Sequence, residues 1–332
     1  MRIVVTGATG FIGAHLALLL QAEGYDVLAT GRAELPSEAV RAEQLRSSGI
    51  TLLVGSLLTA DFAQQLASNC DAIIHLAAAQ HESNVPDSYF YGLNVSAHRA
   101  LLEAAVNAGV KRFVYGSTIG IYGSATDGQL DEQTPPRPEN VYARTKLEAE
   151  RVTMEYANRI DTCIMRISET YGPGDLRLLK LFRGIESGTF PMIGKGTNLR
   201  QVVYVEDLVR GLLLGATHEG AVGEVFVLAG SEIMTTNDMV RQVAATLGRK
   251  PTSLSLPVWP FRAAASIFEA TLTPMGIQPP LTRRRLDFFT KSFLFSTEKA
   301  RRVLGFEPRI TFATGAARTA DWYRKNGYLR DR

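Results

Sequence analysis

Two polar side chains that could exchange a proton stand four residues apart in a segment typical of a helix. Tyr142 and Lys146 begin and end the run YARTK, which continues as LEAE. Residues four apart share a helix face, so the ammonium group would lie beside the phenol. A neighbouring positive charge lowers the pKa of a phenol from about 10, which makes it a usable proton donor or acceptor near neutrality. The alternative is an ordinary pair on a solvated helix surface.

A strand that ends in hydroxyl side chains precedes this pair. Residues 111–118 read KRFVYGST, an apolar run that finishes at Ser117 and Thr118, and IGIYG follows. A hydroxyl at a strand end can donate a hydrogen bond to a substrate oxygen. A Tyr/Lys pair is common by chance on a helix surface, but its position after such a strand end favours a chemical role.

A glycine-rich turn near the start of the chain has the spacing of a phosphate-binding loop. Apolar residues 3–5 are followed by TGATGFIG and then by a helical stretch. Gly7 permits the tight turn, Gly10 lets a pyrophosphate approach the backbone, and Gly13 lets the helix pack closely on the strand. The helix N-terminus adds free N–H groups and a positive dipole end. The G-x-x-G-x-x-G spacing favours a dinucleotide site, although a purely structural turn has the same pattern.

The glycine turn, the strand-end hydroxyls and the Tyr142/Lys146 pair together resemble the extended short-chain dehydrogenase/reductase family. In that family the catalytic hydroxyl stands four residues before the tyrosine of a (V/I)YG tripeptide, which selects Thr118, with Ser117 as its neighbour. The resemblance covers nearly the whole chain. Further family marks recur in order: His75-Leu76-Ala77-Ala78, Asn94 opening a long helix, Arg166, Tyr171-Gly172-Pro173-Gly174 and Tyr204-Val205-Glu206-Asp207.

The order of apolar runs predicts an α/β fold. Runs of strand length alternate with helical stretches, the strand candidates being Ile3–Thr6, Val27–Thr30, Leu52–Val54, Ala72–Leu76, Phe113–Tyr115 and Cys163–Ile167. Such repetition predicts a Rossmann-type, doubly wound parallel sheet with helices on both faces. We expect residues 1–175 and 202–230 to build the NAD(P)-binding domain. Residues 176–201 and 232–332 should build mainly a smaller substrate-binding lobe.

Composition excludes several classes of protein. The 332 residues carry a net charge of +3, and no basic stripe alternates with aromatic residues, so we expect no nucleic-acid partner. No stretch reaches the roughly 18 apolar residues of a membrane span, so we expect no membrane-spanning helix, and because the first predicted strand begins at Arg2 we expect no signal peptide. Two cysteines without metal-ligand spacing fit a reducing cytoplasm and predict no metal site. The apolar segment 256–268, broken by prolines and Arg262, predicts a lobe helix or lid, with membrane-surface contact as the alternative.

The position that follows the second strand bears on the cofactor. In the family, the residue four positions after the leading Val27 is commonly an acid that binds both ribose hydroxyls of NAD. Here that residue is Gly31, and Arg32 follows it. An arginine there can pair with a 2′-phosphate, as in the similar dihydroflavonol-reductase branch, so we expect NADP(H). The alternative is NAD(H), with the arginine stacked over adenine. Ser56 also departs from the family, which usually has an aspartate there.

The resemblance implies a role for each site residue. Tyr142 would exchange the proton, Lys146 would hold the nicotinamide ribose, and Thr118 would bind the substrate oxygen during hydride transfer. The residues expected to bind the cofactor are Gly7, Thr9, Gly10, Phe11, Ile12, Gly13, Arg32, Ser56, Leu57, Leu76, Ala77, Ala78, Asn94, Tyr142, Lys146, Ile167, Glu169 and Thr170. Those expected to bind a small-molecule substrate are Gln80, Arg200, Arg285 and Trp259. The resemblance also implies a homodimer.

Two activities fit this set. The first is a dehydrogenase or reductase of a secondary alcohol or ketone, because the C-terminal third looks like the hydroxysteroid-dehydrogenase-like branch, which handles less polar substrates. The second is a nucleotide-sugar epimerase, in which Arg200 and Arg285 would grip a diphosphate. Glu169 opposes the second, because a carboxylate facing a diphosphate weakens binding. A dehydratase is less favoured, since Ile119-Gly120 replaces the Asp-Glu of similar dehydratases. A non-catalytic NAD(P)-binding regulator is the remaining alternative.

Overall fold

A parallel seven-stranded sheet forms the centre of the computed structural model. The structure describes residues 1–80, 85–124, 128–251, 254–272, 275, 277 and 279–330, without the side chains of residues 283–285. The described strands are β1 (Arg2–Thr6), β2 (Asp26–Gly31), β3 (Thr51–Val54), β4 (Ala72–His75), β5 (Arg112–Thr118), β6 (Asp161–Ile167), β7 (Thr170–Tyr171), β8 (Met192–Ile193), β9 (Leu199–Arg200), β10 (Val203–Tyr204), β11 (Glu224–Leu228), β12 (Met234–Thr235) and β13 (Ser255–Leu256).

The large sheet has the order β3-β2-β1-β4-β5-β6-β11, and all its neighbouring strands are parallel. Val4 of β1 pairs with Leu28 of β2 on one side and Ile73 of β4 on the other. The strand order therefore reverses beside β1, which is where this class of fold binds ligands. The doubly wound parallel fold predicted from the sequence is confirmed.

The described helices are α1 (Phe11–Ala22), α2 (Pro36–Ser47), α3 (Ala60–Ala67), α4 (Asp87–Tyr91), α5 (Ala97–Asn107), α6 (Val141–Glu155), α7 (Leu179–Glu186), α8 (Val205–Thr217), α9 (Thr236–Leu247), α10 (Val258–Leu272), α11 (Arg283–Thr290), α12 (Glu298–Leu304) and α13 (Phe312–Lys325). Among them, α1 and α8 pack on one face of this sheet, and α3, α5 and α6 pack on the other. Among the described helices none is long and apolar enough to cross a membrane.

Two apolar clusters hold those helices to the sheet. Ile3 and Val5 of β1 share one cluster with side chains of α1 and α8, whereas Val4 belongs to a second cluster with side chains of α3, α5 and α6. Successive strand residues point to opposite faces, so a continuous apolar strand packs on helices at both sides. This arrangement fixes the strand ends, where the site residues lie.

A third apolar cluster lies outside the large sheet. Phe182 of α7, Met239 of α9 and Tyr323 of α13 are buried together, and the Tyr323 hydroxyl donates a hydrogen bond to the Asp175 carbonyl. The C-terminal helix thus packs with the segment that follows the sixth strand. The division of the chain into a cofactor-binding domain and a substrate-binding lobe stays a prediction, because it concerns what each part binds.

Candidate active site

The glycine turn between β1 and α1 has no room for a side chain at Gly7 or Gly13. Gly7 has a φ of +69°, and a Cβ atom there would lie 2.8 Å from the Ala77 backbone nitrogen. A Cβ atom on Gly13 would lie 2.2 Å from the Gly7 carbonyl oxygen. The Gly10 N–H donates to the same oxygen at 2.9 Å. The N-terminus of α1 is therefore presented bare at the sheet edge, and this shape fits the pyrophosphate of a dinucleotide.

The turn borders a cleft of about 2120 Å³ at the carboxyl ends of the strands. Pockets for drug-sized ligands measure about 300–1000 Å³, so this cleft has room for a dinucleotide and a substrate. Most of the predicted site residues line it. They are Gly7, Thr9, Gly10, Phe11, Ile12, Gly13, Arg32, Ser56, Leu57, Leu76, Ala77, Ala78, Gln80, Ser117, Thr118, Tyr142, Lys146, Ile167, Glu169, Thr170 and Arg200.

Lys146 lies at the buried floor of the cleft. Its Nζ atom donates to the Gly116 carbonyl at 2.6 Å and lies 4.1 Å from the centre of the Tyr115 ring. Burial lowers the pKa of Lys146 to about 7, and the nearby Glu150 carboxylate opposes that shift. A lysine near its titration point at neutral pH is sensitive to any charge placed beside it.

Tyr142 and Thr118 both border the cleft, from different elements. Tyr142 lies in the first turn of α6, whose start is fixed by Asn140: its side-chain oxygen accepts from the Ala143 N–H at 2.9 Å. Thr118 is the last residue of β5, and its Oγ1 atom accepts from the Gly120 N–H at 3.0 Å. A strand end and a capped helix start thus hold the two hydroxyl groups on rigid elements.

Ser117 borders the same cleft but has a different partner from Thr118. Its hydroxyl donates to Glu150 Oε1 at 2.5 Å, and Glu150 pairs with Arg166 at 2.9 Å. Arg166 also donates to the Tyr122 hydroxyl at 2.9 Å. The serine hydroxyl is therefore part of a buried hydrogen-bonded network, and the geometry favours Thr118 as the hydroxyl available to a substrate.

Asn94 lies behind the cleft rather than in its lining. Its side-chain amide bonds both backbone groups of Ala79, at 2.7 and 3.0 Å, and the Thr145 hydroxyl at 2.9 Å. It ties the segment after β4 to α6, the helix that carries Tyr142 and Lys146. The sequence placed it at the opening of a helix, whereas it lies within a π-helical turn, Gly92–Ser96, that joins α4 to α5.

The end of the cleft expected to hold the cofactor's ribose contains Arg32. A Cβ atom on Gly31 would lie 2.3 Å from Thr9 Oγ1, so Thr9 occupies the space that an acidic side chain would need. Arg32 Nη1 donates to the Tyr89 hydroxyl at 3.2 Å, and its Nη2 lies 4.0 Å from Glu38 Oε1. A cation here favours a 2′-phosphate, and the Glu38 carboxylate opposes one.

Glu169 and Arg200 form an ion pair in the part of the cleft next to β9. Arg200 Nη2 donates to Glu169 Oε2, and the guanidinium lies 4.6 Å from the centre of the Phe288 ring. The arginine side chain is 4% exposed and the glutamate side chain 45%. Phe289 and Phe190 continue the aromatic wall, with ring centres 6.0 Å apart. The arginine is thus covered and neutralised beside an apolar surface.

Trp259 does not line this cleft, in contrast to its expected place near a substrate. Its side chain is 73% exposed on α10 and borders a separate cavity of about 800 Å³. The reason is the orientation of α10. Its buried residue is Ala265, and the indole of Trp259 points away from that side into solvent. Arg285 lies in α11, but its side chain is outside the described part of the structure, so its predicted contact stays a prediction.

Several buried groups lie near Lys146, and the sequence motifs had singled out only His75 among them. The hydroxyl of Tyr115 has no hydrogen-bond partner among the described residues, and burial raises its pKa. The His75 and His98 rings stack with centres 5.2 Å apart, and burial lowers the pKa of His75 to about 3, so it is neutral. Glu150 could have been found, because it stands one helical turn after Lys146.

Comparison with known proteins gives the family. Residues 3–229 match the NAD dependent epimerase/dehydratase family. A dTDP-glucose 4,6-dehydratase of Streptomyces antibioticus is 29% identical over 98% of this chain and 93% of its own. A 4-hydroxy-2-methyl-3-oxo-4-farnesyl-3,4-dihydroquinoline-1-oxide ketoreductase of Stigmatella aurantiaca is 30% identical over 95% of this chain and 94% of its own.

A solved structure agrees over the whole chain. A dTDP-glucose 4,6-dehydratase double mutant from Streptomyces venezuelae, with NAD bound, has a TM-score of 0.79 to this chain at 28% identity, covering 99% of both. The family match alone spans more than half of the 332 residues. The chain therefore belongs to the NAD dependent epimerase/dehydratase family and is an NAD(P)-dependent enzyme of the extended short-chain dehydrogenase/reductase type.

Proposed function

We propose that this enzyme interconverts a secondary alcohol and a ketone on an apolar small molecule. The observation that carries the proposal is the ion pair between Glu169 and Arg200, covered by the Phe288 ring. An arginine in that state has no free charge for a diphosphate, and separating the pair would cost binding energy. The farnesyl-bearing substrate named for the Stigmatella ketoreductase supports the same class of ligand.

Thr118, Tyr142 and Lys146 are the catalytic set of this proposal. A nicotinamide bound in the cleft would supply hydride exchange. Thr118, held at the end of β5, would bind the substrate oxygen, and Tyr142 would give or take the proton at that oxygen. Lys146 would hold the cofactor ribose, and its charge would favour the ionised phenol. Ser117 would hold Glu150 in place rather than contact the substrate.

We propose NADP(H) as the preferred cofactor, with NAD(H) as the alternative. Arg32 at the ribose end supports the phosphate-bearing form. The bound NAD of the solved Streptomyces venezuelae structure supports the alternative. In the same proposal, residues 176–201 and 232–332 contribute most substrate contacts, and the enzyme is a homodimer.

A nucleotide-sugar epimerase is the second candidate, supported by the likeness to dTDP-glucose dehydratases. It would require Glu169 to turn away so that Arg200 could meet a diphosphate. A dehydratase would need a further acid and base as well. The positions after Thr118 hold Ile119 and Gly120, which supply neither.

Thermal unfolding with a panel of ligands tests whether the enzyme binds apolar ketones or nucleotide sugars. The protein is heated with each nicotinamide cofactor, alone or with hydrophobic ketones or UDP-, GDP- and dTDP-sugars. A ligand that binds only the folded protein stabilises it by about 2.7 kcal/mol at one hundred times its Kd. We expect stabilisation by ketones, retained in Arg200→Met. Stabilisation by nucleotide sugars alone, lost in Arg200→Met, would favour the epimerase.

A further inference from the structure

Helix α10 exposes an apolar face. Trp259, Ala263, Ile267 and Ala270 are all exposed, and their spacing of four, four and three residues places them along one side of the helix. The Trp259 side chain is 73% exposed and Ile267 61%. An apolar stripe of this kind normally packs against a protein core. Its exposure here indicates a surface that binds another molecule.

Exposed apolar side chains are also frequent in the residues on either side of α10. Of the fifteen large hydrophobic side chains exposed on the described residues, five lie between residues 254 and 277: Leu254, Trp259, Ile267, Met275 and Ile277. The opposite side of α10 packs inward through Ala265, which contacts Ile193 and Leu286 in a small apolar cluster. The helix is therefore anchored on one side and bare on the other.

Two cations stand beside this face. Lys195 and Arg262 border the cavity of about 800 Å³ that Trp259 also lines, and no carboxylate is among its described lining residues. Neither cation forms an ion pair with a described residue. Glu269, the acidic residue of α10, is only partly exposed and already has an interaction partner. The face therefore combines apolar side chains with unopposed positive charge.

We propose that the exposed face of α10 docks on an anionic lipid bilayer, with the cavity beside Trp259 receiving a lipid headgroup phosphate. Aliphatic and indole side chains enter the boundary between headgroups and acyl chains, and flanking cations pair with anionic headgroups. A second copy of the chain fits less well. In a two-fold interface the same patch faces itself, so Lys195 and Arg262 would face like charges. This inference does not depend on the proposed catalytic activity.

Vesicle flotation tests the proposal with the full chain. Vesicles contain phosphatidylcholine alone or phosphatidylcholine with phosphatidylglycerol, and the variants are Ile267→Ser, Arg262→Gln and Ile233→Ser. Ile233 is a matched control, because it is an exposed isoleucine outside α10, 50% exposed. We expect the wild type to float with the anionic vesicles. Ile267→Ser should bind them about tenfold more weakly, and Arg262→Gln about fivefold. Ile233→Ser should behave as wild type.

Fluorescence gives a second readout that reports on the face directly. The chain has two tryptophans, so Trp322→Phe leaves Trp259 as the only indole. Its emission should shift to shorter wavelength when phosphatidylglycerol vesicles are added, because the ring leaves water. The proposal is overturned if folded wild-type protein fails to float with anionic vesicles, or if Ile267→Ser and Ile233→Ser bind them equally. A smaller sedimentation coefficient for lipid-free Ile267→Ser than for wild type would also overturn it, in favour of a second copy on this face.

Discussion

The glycine turn and helix α10 differ in how closely neighbouring atoms constrain them. At Gly13 even a methyl group would meet backbone 2.2 Å away, whereas Trp259 on α10 stands mostly in solvent. Close packing at the strand ends fixes the positions of the proposed catalytic and cofactor-binding groups. The exposed side of α10 is free for contacts outside the fold. Substitutions should therefore damage chemistry and stability in the first region and change only external contacts in the second.

The largest effect should come from α6, which carries the proposed catalytic residue Tyr142. Tyr142→Phe removes the hydroxyl that we propose exchanges a proton and leaves the ring in place, so we expect kcat to fall by about 10²–10⁴-fold with cofactor affinity kept. Steady-state kinetics and cofactor titration measure the two quantities. Tyr91→Phe, the same change at an exposed tyrosine, should match wild type. Full activity in Tyr142→Phe would refute the assignment.

The next effect concerns the charge of Lys146. Burial lowers its pKa from 10.5 to about 7. Between those pH values the unfolded chain binds more protons than the folded one, so the contribution of this lysine to the free energy of unfolding rises with pH. Below pH 7 the lysine is charged in both the folded and the unfolded protein. The folded protein then carries the full free-energy cost of burying a charged ammonium group. Lys146→Met removes that cost but also the hydrogen bond to Gly116.

We therefore expect cofactor-free Lys146→Met to be more stable than wild type by roughly 2–4 kcal/mol at pH 7 and below. The difference should shrink as pH rises toward 10.5. Urea unfolding of both proteins across this range measures it. A difference that stays constant with pH would mean that burial does not shift the lysine's pKa, and that the effect has another cause.

A glycine substitution sharpens the contrast between the two regions. Gly13→Ala should cost about 3 kcal/mol of the free energy of unfolding, because the backbone of Gly7 must move. Cofactor affinity should fall with it if the same turn binds the cofactor's pyrophosphate, as we propose. Denaturant unfolding and cofactor titration test both effects.

Two controls accompany that variant. Gly92→Ala puts the same methyl group 3.9 Å from the Leu58 side chain, an ordinary contact, and should not destabilise the protein. Trp259→Ser removes an exposed ring from the lobe and should change stability by less than about 0.5 kcal/mol. If Gly13→Ala and Trp259→Ser lowered the free energy of unfolding equally, the glycine turn and α10 would not differ in how tightly they are packed.

The smallest effect concerns cofactor selectivity. Arg32→Ala should weaken NADPH and spare NADH, because only NADPH carries the 2′-phosphate. A charge-assisted hydrogen bond contributes about 1.5–3 kcal/mol, so the preference should fall by about one to two decades. Binding constants for both cofactors measure it. Equal weakening of both would indicate that the guanidinium stacks on adenine.

The sequence could predict the parts of the site that have local causes. Apolar strand runs and the glycine spacing are short-range signals, and they placed Gly7 and Tyr142 at the same cleft. Tertiary contacts decide the rest. Asn94 braces Ala79 and Thr145, which only the folded chain brings together.

The sequence also could not predict which side of α10 becomes buried. Its sequence is apolar on several sides, and the side that becomes buried is chosen by contacts of Ala265 with distant residues. The sequence therefore predicted a lobe helix but not that Trp259 would be exposed on it. The ion pair between Arg200 and Glu169 is also a tertiary contact, because it joins residues 31 positions apart in the sequence.

The most direct test of the account is the stoichiometry of the nicotinamide cofactor. A reductase or dehydrogenase changes the redox state of one cofactor molecule for each product molecule, whereas an epimerase or dehydratase returns the cofactor to its starting state. Cofactor absorbance and product quantity are measured together for purified enzyme with a hydrophobic ketone and with a dTDP-sugar. We expect one NADPH oxidised per ketone reduced, and no reaction of the dTDP-sugar. Product formed from the sugar without net change in the cofactor, and none from the ketone, would contradict the account.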